Sequence, residues 1–299
     1  MILINTLQKI VCKLDDIRVY ITIICVIISY TTVSLVIDYL AIFGVLTLGI
    51  LHGANDLCLL KSIRFMRTNS QRFFVYITTV LLFSMILYHI PLIALFLFVL
   101  LSCYHFGEQQ WQYHFKSKTN SPQFFFFAYG AFLFSMLFWS HSEDTQSIIK
   151  ELSDLQITSI SFQYMAYFSV ILCLLYLLTQ FSTVKKLILD ILLQSAILMF
   201  LFWTTDLIVS FGTYFIIWHS WPSLKDQTKT LYNKSDAYFA YLKDAFPYWI
   251  ASILGLSIFF VYKDQIGLNP IALFFAFLSA ITFPHVLVIF GLHQKFKPS

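Results

Sequence analysis

Charge is what this 299-residue chain lacks. Asp, Glu, Lys and Arg make up 11% of it, against about 25% in a soluble domain. A soluble fold has too little interior to hide a chain that is 59% hydrophobic, which excludes a soluble enzyme as well as a disordered protein. The net charge is only +4 and no basic run is long, which excludes nucleic acid as a partner. Cysteine is sparse. Cys12, Cys25, Cys58, Cys103 and Cys173 are odd in number, widely spaced and without a CxxC pair, so neither a disulfide framework nor a zinc ribbon is expected. No segment alternates with period two, which disfavours a β-barrel. There is no convincing internal repeat and no linker, and residues 1–299 read as one transmembrane domain.

Long apolar runs are what the chain has instead. Ten segments of about 17–24 residues are each long enough to cross a bilayer: 19–36, 39–60, 73–89, 91–110, 123–140, 162–181, 184–203, 207–223, 247–263 and 269–292. Pro91, Pro122 and Pro247 fall at segment starts, where a missing N–H costs little. The N-terminus is not expected to be a cleavable signal, because its apolar run begins only near Ile17 and no small-residue cleavage site follows. With ten spans, 17 of the 19 Lys and Arg residues fall on one side, leaving only Lys150 and Lys263 on the other. Such a split is a strong positive-inside signal. The expected fold is therefore all-α, a polytopic bundle of about ten transmembrane helices in the cell inner (cytoplasmic) membrane, with both termini cytoplasmic.

Four of the eight histidines share a depth. His52, His105, His219 and His285 lie on the second, fourth, eighth and tenth segments, all of which run from outside to inside. Counted from the segment starts, and at about 1.5 Å of rise per residue, the four agree in depth to within about 6 Å. They sit in the cytoplasmic half of the membrane, on four different helices. Burying imidazoles in a bilayer is costly, and intramembrane polar residues usually mark a site. Each is set in a polar cluster: Leu51-His52-Gly53-Ala54-Asn55-Asp56, Tyr104-His105-Phe106-Gly107-Glu108-Gln109, Trp218-His219-Ser220-Trp221-Pro222-Ser223 and Thr282-Phe283-Pro284-His285. Gly53 and Ala54 allow close helix approach, while Pro222 and Pro284 are expected to kink or end their helices beside the histidines. Asp56 and Glu108, one turn from their histidines, and Asp190 at a similar depth are candidates to orient metal-bound imidazoles by accepting the second ring N–H.

An all-imidazole set suits iron, copper, zinc or nickel. The HExxH signature of zinc peptidases is absent, as are HxxxH and HxxHH boxes, and no Lys lies in mid-span to carry a retinal Schiff base. One metal held by up to four histidines remains, with no catalytic side chain required beyond that centre. Tyr104, Phe106, Tyr214, Trp218 and Trp221 lie near the motifs and are candidates to line the path of a long apolar substrate drawn from the lipid. Ion- or proton-coupled transport is the competing class, with another lipid-modifying membrane metalloenzyme behind it. The confinement of the polar clusters to one half of the membrane and the lack of pseudo-symmetry argue against transport.

HGAND at 52–56, YHFGEQ at 104–109, WHSWPS at 218–223 and FPH at 283–285 resemble, in order, the motifs of the Brp/Blh family of membrane-bound β-carotene 15,15′-dioxygenases. The resemblance implies an Fe(2+) cofactor held by His52, His105, His219 and His285, and central cleavage of β-carotene or a related carotenoid with O₂ to two retinal molecules. It also implies a functional link to a retinal-binding rhodopsin. Many members carry a second His one turn after the first in the third motif, where this chain has Ser223. His293 lies two turns, about 12 Å, beyond His285, too far to serve the same centre.

Overall fold

The computed structural model describes residues 16–115, 121–232 and 236–295, with the side chains of 264, 266 and 293–295 left out. His293 and several of the counted lysines therefore lie outside the described side chains. Among the described residues the chain is all helix. We label α1 Ile17–Thr31, α2 Ser34–Ser62, α3 Asn69–His89, α4 Pro91–Trp111, α5 Pro122–Ser140, α6 Ser142–Ser153, α7 Ser159–Thr179 and α8 Ile188–Thr204. Residues 207–231 form α9, followed by α10 Ala237–Val261 and α11 Pro270–Lys295. Among the described residues seven helices are long and apolar enough to cross a membrane: α2 to α5, α7, α10 and α11. The protein is a multi-pass membrane protein. The first and seventh expected spans correspond to shorter apolar helices, α1 and α8. The eighth corresponds to α9, which passes through a π segment at Tyr214–Ser220.

The molecule is inverted relative to a soluble protein. Its periphery carries large apolar side chains such as Phe74, Leu82, Phe168 and Leu178, all well exposed. Its interior contains His52, Asn55, Asp56, His105, Glu108, Gln109, His219, Ser223, Gln227 and His285, each buried. Lipid removes the penalty on the first group, and mutual hydrogen bonding is the condition for the second.

Small residues set the helix spacing. A Cβ on Gly107 would lie 1.9 Å from the Phe126 carbonyl oxygen, and one on Gly130 would lie 1.7 Å from that of Cys103. The backbones of α4 and α5 therefore touch, which only glycine permits. Between α2 and α9, a Cβ on Gly49 would come within 2.8 Å of Phe215, and one on Gly44 within 2.6 Å of Ile216. At this seam both helices widen into π-helix, Val45–Gly49 in α2 and Tyr214–Ser220 in α9. Such turns recur at functional sites, because the extra residue re-aims the side chains that follow.

Two proline expectations change. Pro91 and Pro122 do open their helices, but Pro247 lies inside α10. That helix begins ten residues earlier because Tyr241 and Ala245, both fully buried, anchor its first turns on the core. Pro222 does not end its helix. It stands directly after the π segment in a helix that runs on from Tyr214–Ser220 into Trp221–Leu231, so its missing N–H leaves a carbonyl one turn back without a helical partner. Pro284 likewise lies within a continuous α11. The sequence reading also missed α6, an amphipathic helix whose Glu151 accepts hydrogen bonds from the main-chain N and Nδ2 of Asn269 at the start of α11.

Candidate metal centre

The four histidines meet. Neighbouring ring centroids are separated by 5.1 Å for His52 and His219, 4.8 Å for His219 and His105, 5.3 Å for His105 and His285, and 4.8 Å for His285 and His52. The rings form a closed square, each 80–88° from its neighbours. All four are buried, none more than 4% exposed. Four helices deliver them: α2, α4, α9 and α11.

Hydrogen bonds on the outer side of the square orient two of the rings. His285 Nδ1 donates to Asp56 Oδ1 at 2.8 Å, and His52 Nδ1 donates to the Gly49 carbonyl in the π turn. A carbonyl and an ionised carboxylate can only accept, so both rings carry their proton on Nδ1 and leave the Nε2 lone pair free. His52 Nε2, His285 Nε2 and His219 Nδ1 are buried without a hydrogen-bond partner, a costly state for polar atoms. Phe106 lies flat on His219, with centroids 4.0 Å apart and planes 11° apart, and fixes that ring by stacking.

The dimensions suit a metal. With a metal–nitrogen bond of about 2.1 Å and about 1.2 Å more to the ring centre, imidazoles about 90–110° apart place their centroids about 4.7–5.4 Å from one another. The square has that size. Among the described residues no group of three or more His, Cys, Asp or Glu side chains is gathered as a finished metal site. Closing the square on an ion takes rotation of the rings about their terminal torsions, which are broad and soft.

The carboxylates sort differently from their places in the sequence. Asp56 does not serve His52, one turn away. The helix breaks at Ala54-Asn55, and the carboxylate turns to His285 on α11. Its other oxygen accepts from Tyr76 on α3 at 2.9 Å. Glu108 accepts from the Tyr104 hydroxyl at 2.8 Å. Asp190 is half-buried in the first turn of α8, a helix that carries none of the four histidines. Ser223 is buried and accepts from Gln227 Nε2 at 3.1 Å. The Tyr241 hydroxyl in turn lies 2.9 Å from Gln227 Oε1 and 3.1 Å from the His52 carbonyl. This network ties the His52 end of α2 to α9 and α10.

A cavity of about 590 Å³ opens on this cluster, walled mainly by α2, α3, α10 and α11 and lined by His52, Asp56 and His285 at the site itself. None of the five aromatic residues expected along a substrate path lines it. Tyr104 packs edge-on against Phe126 and Phe290, Phe106 backs His219, and Tyr214 stacks on Phe106. Trp218 is buried and donates from Nε1 to Thr22 Oγ1 at 2.9 Å, while Trp221 faces outward, 53% exposed. These residues flank the histidines in sequence but point elsewhere, Tyr104, Phe106 and Tyr214 into the helix core, Trp218 toward Thr22 on α1 and Trp221 to the surface, whereas the cavity lies on the His52–His285 side of the square. Phe215 and Tyr76 do line it. Phe215 was legible as the residue one turn before His219, on the same helix face. Tyr76 had no signal, because its helix carries no motif.

A family model described as "Beta-carotene 15,15'-dioxygenase" matches residues 43–293, most of the chain and all four histidines. No curated protein and no solved structure gives a match.

Proposed function

The chain belongs to the β-carotene 15,15′-dioxygenase family, and on that premise we propose that it cleaves β-carotene or a related carotenoid at the central double bond with O₂, giving two retinal molecules. The observation that carries this reading is the square of four buried imidazoles at the edge of an apolar cavity. His52, His105, His219 and His285 would hold an Fe(2+) ion. When bound, the iron supplies the O₂ chemistry, and four ligands leave positions open for it. The protein positions and encloses. Asp56 and the Gly49 carbonyl hold His285 and His52 with their second nitrogens inward. Asp56 also supplies one negative charge against the cation, which matters in a low-dielectric interior. Phe106 and Phe215 cover the rings and exclude water, and the apolar walls leave a polyene no polar competitor for the site. Both atoms of O₂ end in the products, one on each new aldehyde.

The same reading takes α1, α8 and α9 as crossings too, giving ten in a cytoplasmic membrane with both termini inside. Its support is the 17-to-2 division of Lys and Arg. The test is metal analysis of the purified protein together with retinal detection in carotene-producing cells. The expected result is iron bound to the unaltered protein and retinal in the cells, both lost in His105→Ala. A His105→Ala protein that keeps its iron and its cleavage refutes the ligand assignment.

A further inference from the structure

The cavity has a direction. Tyr76 is held level with the histidine square by its bond to Asp56, and from there the lining climbs α3 through Val80, Ser84 and Leu87 to Tyr88. On α11 it runs back from His285 through Ile281 and Phe277 to Leu273. Each path covers twelve residues, about 18 Å at the helical rise. The two helices therefore agree on the depth of the chamber. Glu151 and Leu152 of α6 stand at its outer end, where Glu151 is fastened to Asn269. The metal-site residues lie near one end of this chamber, not at its middle.

The depth can be compared with the substrate. An extended zigzag of covalent bonds advances about 1.2 Å per bond, so the roughly nine bonds from a central double bond to an end ring, plus about 4 Å for the ring, come to about 15 Å. One half of a symmetric carotenoid fits the chamber, and the whole molecule does not. We propose that the chamber takes one half of the carotenoid ring-first and that its depth selects the bond presented to the histidine cluster. This rests on the dioxygenase reading and adds a ruler to it. The class of substrate it admits is a long conjugated polyene with a compact apolar end group.

Gly255 lies where the ruler can be shortened. Trp249 Nε1 donates to the Leu46 carbonyl at 2.7 Å, and Tyr241 meets the His52 carbonyl, so α10 runs outward beside α2. Gly255 is nearly two turns beyond Trp249, in the outer part of the lining. A Cβ there meets nothing within 4 Å, so a side chain can start from this position on the chamber wall. A phenyl ring would remove about 5 Å of depth and leave about 13 Å, about 2 Å short of the half-molecule and so a shift of about two bonds.

The experiment is Gly255→Phe beside the unaltered protein in carotene-producing cells, with the aldehydes separated by chain length and the iron content of each purified protein measured. The expected result is unchanged iron and an unequal pair of aldehydes, one shorter and one longer than retinal. Two equal halves at the unaltered rate overturn the ruler. If Gly255→Phe cleaves nothing, the carotenoid that co-purifies with it decides. Loss of bound pigment with iron retained supports the chamber as the holding site, whereas pigment bound at the normal level overturns it. Leu273→Ala, which deepens the outer end, is the second variant, and a product ratio that moves in neither variant also overturns the proposal. Absence of cleavage by the unaltered protein refutes the dioxygenase reading itself, a result distinct from equal halves made by Gly255→Phe.

Discussion

Asp56→Asn tests whether the carboxylate behind His285 governs the metal. The side chain is buried, accepting from His285 Nδ1 at 2.8 Å and from the Tyr76 hydroxyl at 2.9 Å. Asparagine keeps the shape and one acceptor but loses the charge, and its amide NH₂ must face one of two donors. A hydrogen bond to a charged group contributes about 1.5–3 kcal/mol, against about 0.5–1.5 for a neutral one, so the change removes about 1–1.5 kcal/mol of support from the ring. That corresponds to roughly tenfold in metal affinity, the low end of the about 10–100-fold losses found when such outer partners are altered. The assay is anaerobic Fe(2+) titration of the detergent-purified protein, with thermal unfolding run in parallel to establish that the bundle is intact. A folded Asp56→Asn protein whose iron affinity stays within about twofold of the original, short of that tenfold, refutes the reasoning. It would mean that His285 is held by packing alone.

Three further outcomes are expected. Gly107→Ala forces a methyl against the Phe126 carbonyl; because backbone cannot yield as a side chain can, the cost falls at or above the upper end of the about 1–3 kcal/mol of ordinary overpacking, read as a lower unfolding temperature. Tyr241→Phe removes the one hydroxyl proton shared among Gln227 Oε1 and the Leu51 and His52 carbonyls, costing about 1–3 kcal/mol and weakening iron binding through the His52 end of α2. Trp221→Ala changes stability by no more than about 0.5 kcal/mol and leaves the product unaltered, because the ring is 53% exposed and stands outside the cavity. A product shift in that variant would restore Trp221 to the substrate path.

Much of the site could be read from one strand of text. His52, His105, His219 and His285 were grouped because helical rise is nearly constant, so position along an apolar segment converts directly to depth. Depth is a local property, and the four rings do meet. What failed was azimuth. Tyr104, Trp218 and Trp221 are neighbours of the histidines in sequence, yet rotation about the helix axis sends them to other faces. Asp56 is legible as an orienting carboxylate but its partner is not; the turn at Ala54-Asn55 sends it to His285 on α11. α10 extends ten residues before Pro247 because the charged pair Lys243-Asp244, which interrupts the apolar run, sits in turns anchored by the buried Tyr241 and Ala245.

Composition and periodicity alone therefore determined that this chain lives in a membrane, is helical, and carries four imidazoles at one level. Those properties depend on hydrophobicity and rise per residue, which each segment possesses by itself. The tertiary structure alone decided that Asp56 serves His285, that Tyr76 from a helix without a motif completes that pair, and that the cavity lies opposite the aromatic motifs. Each of these is a contact between helices distant in sequence. It is set by where glycines let backbones touch and where π turns rotate a face, quantities that no single segment encodes.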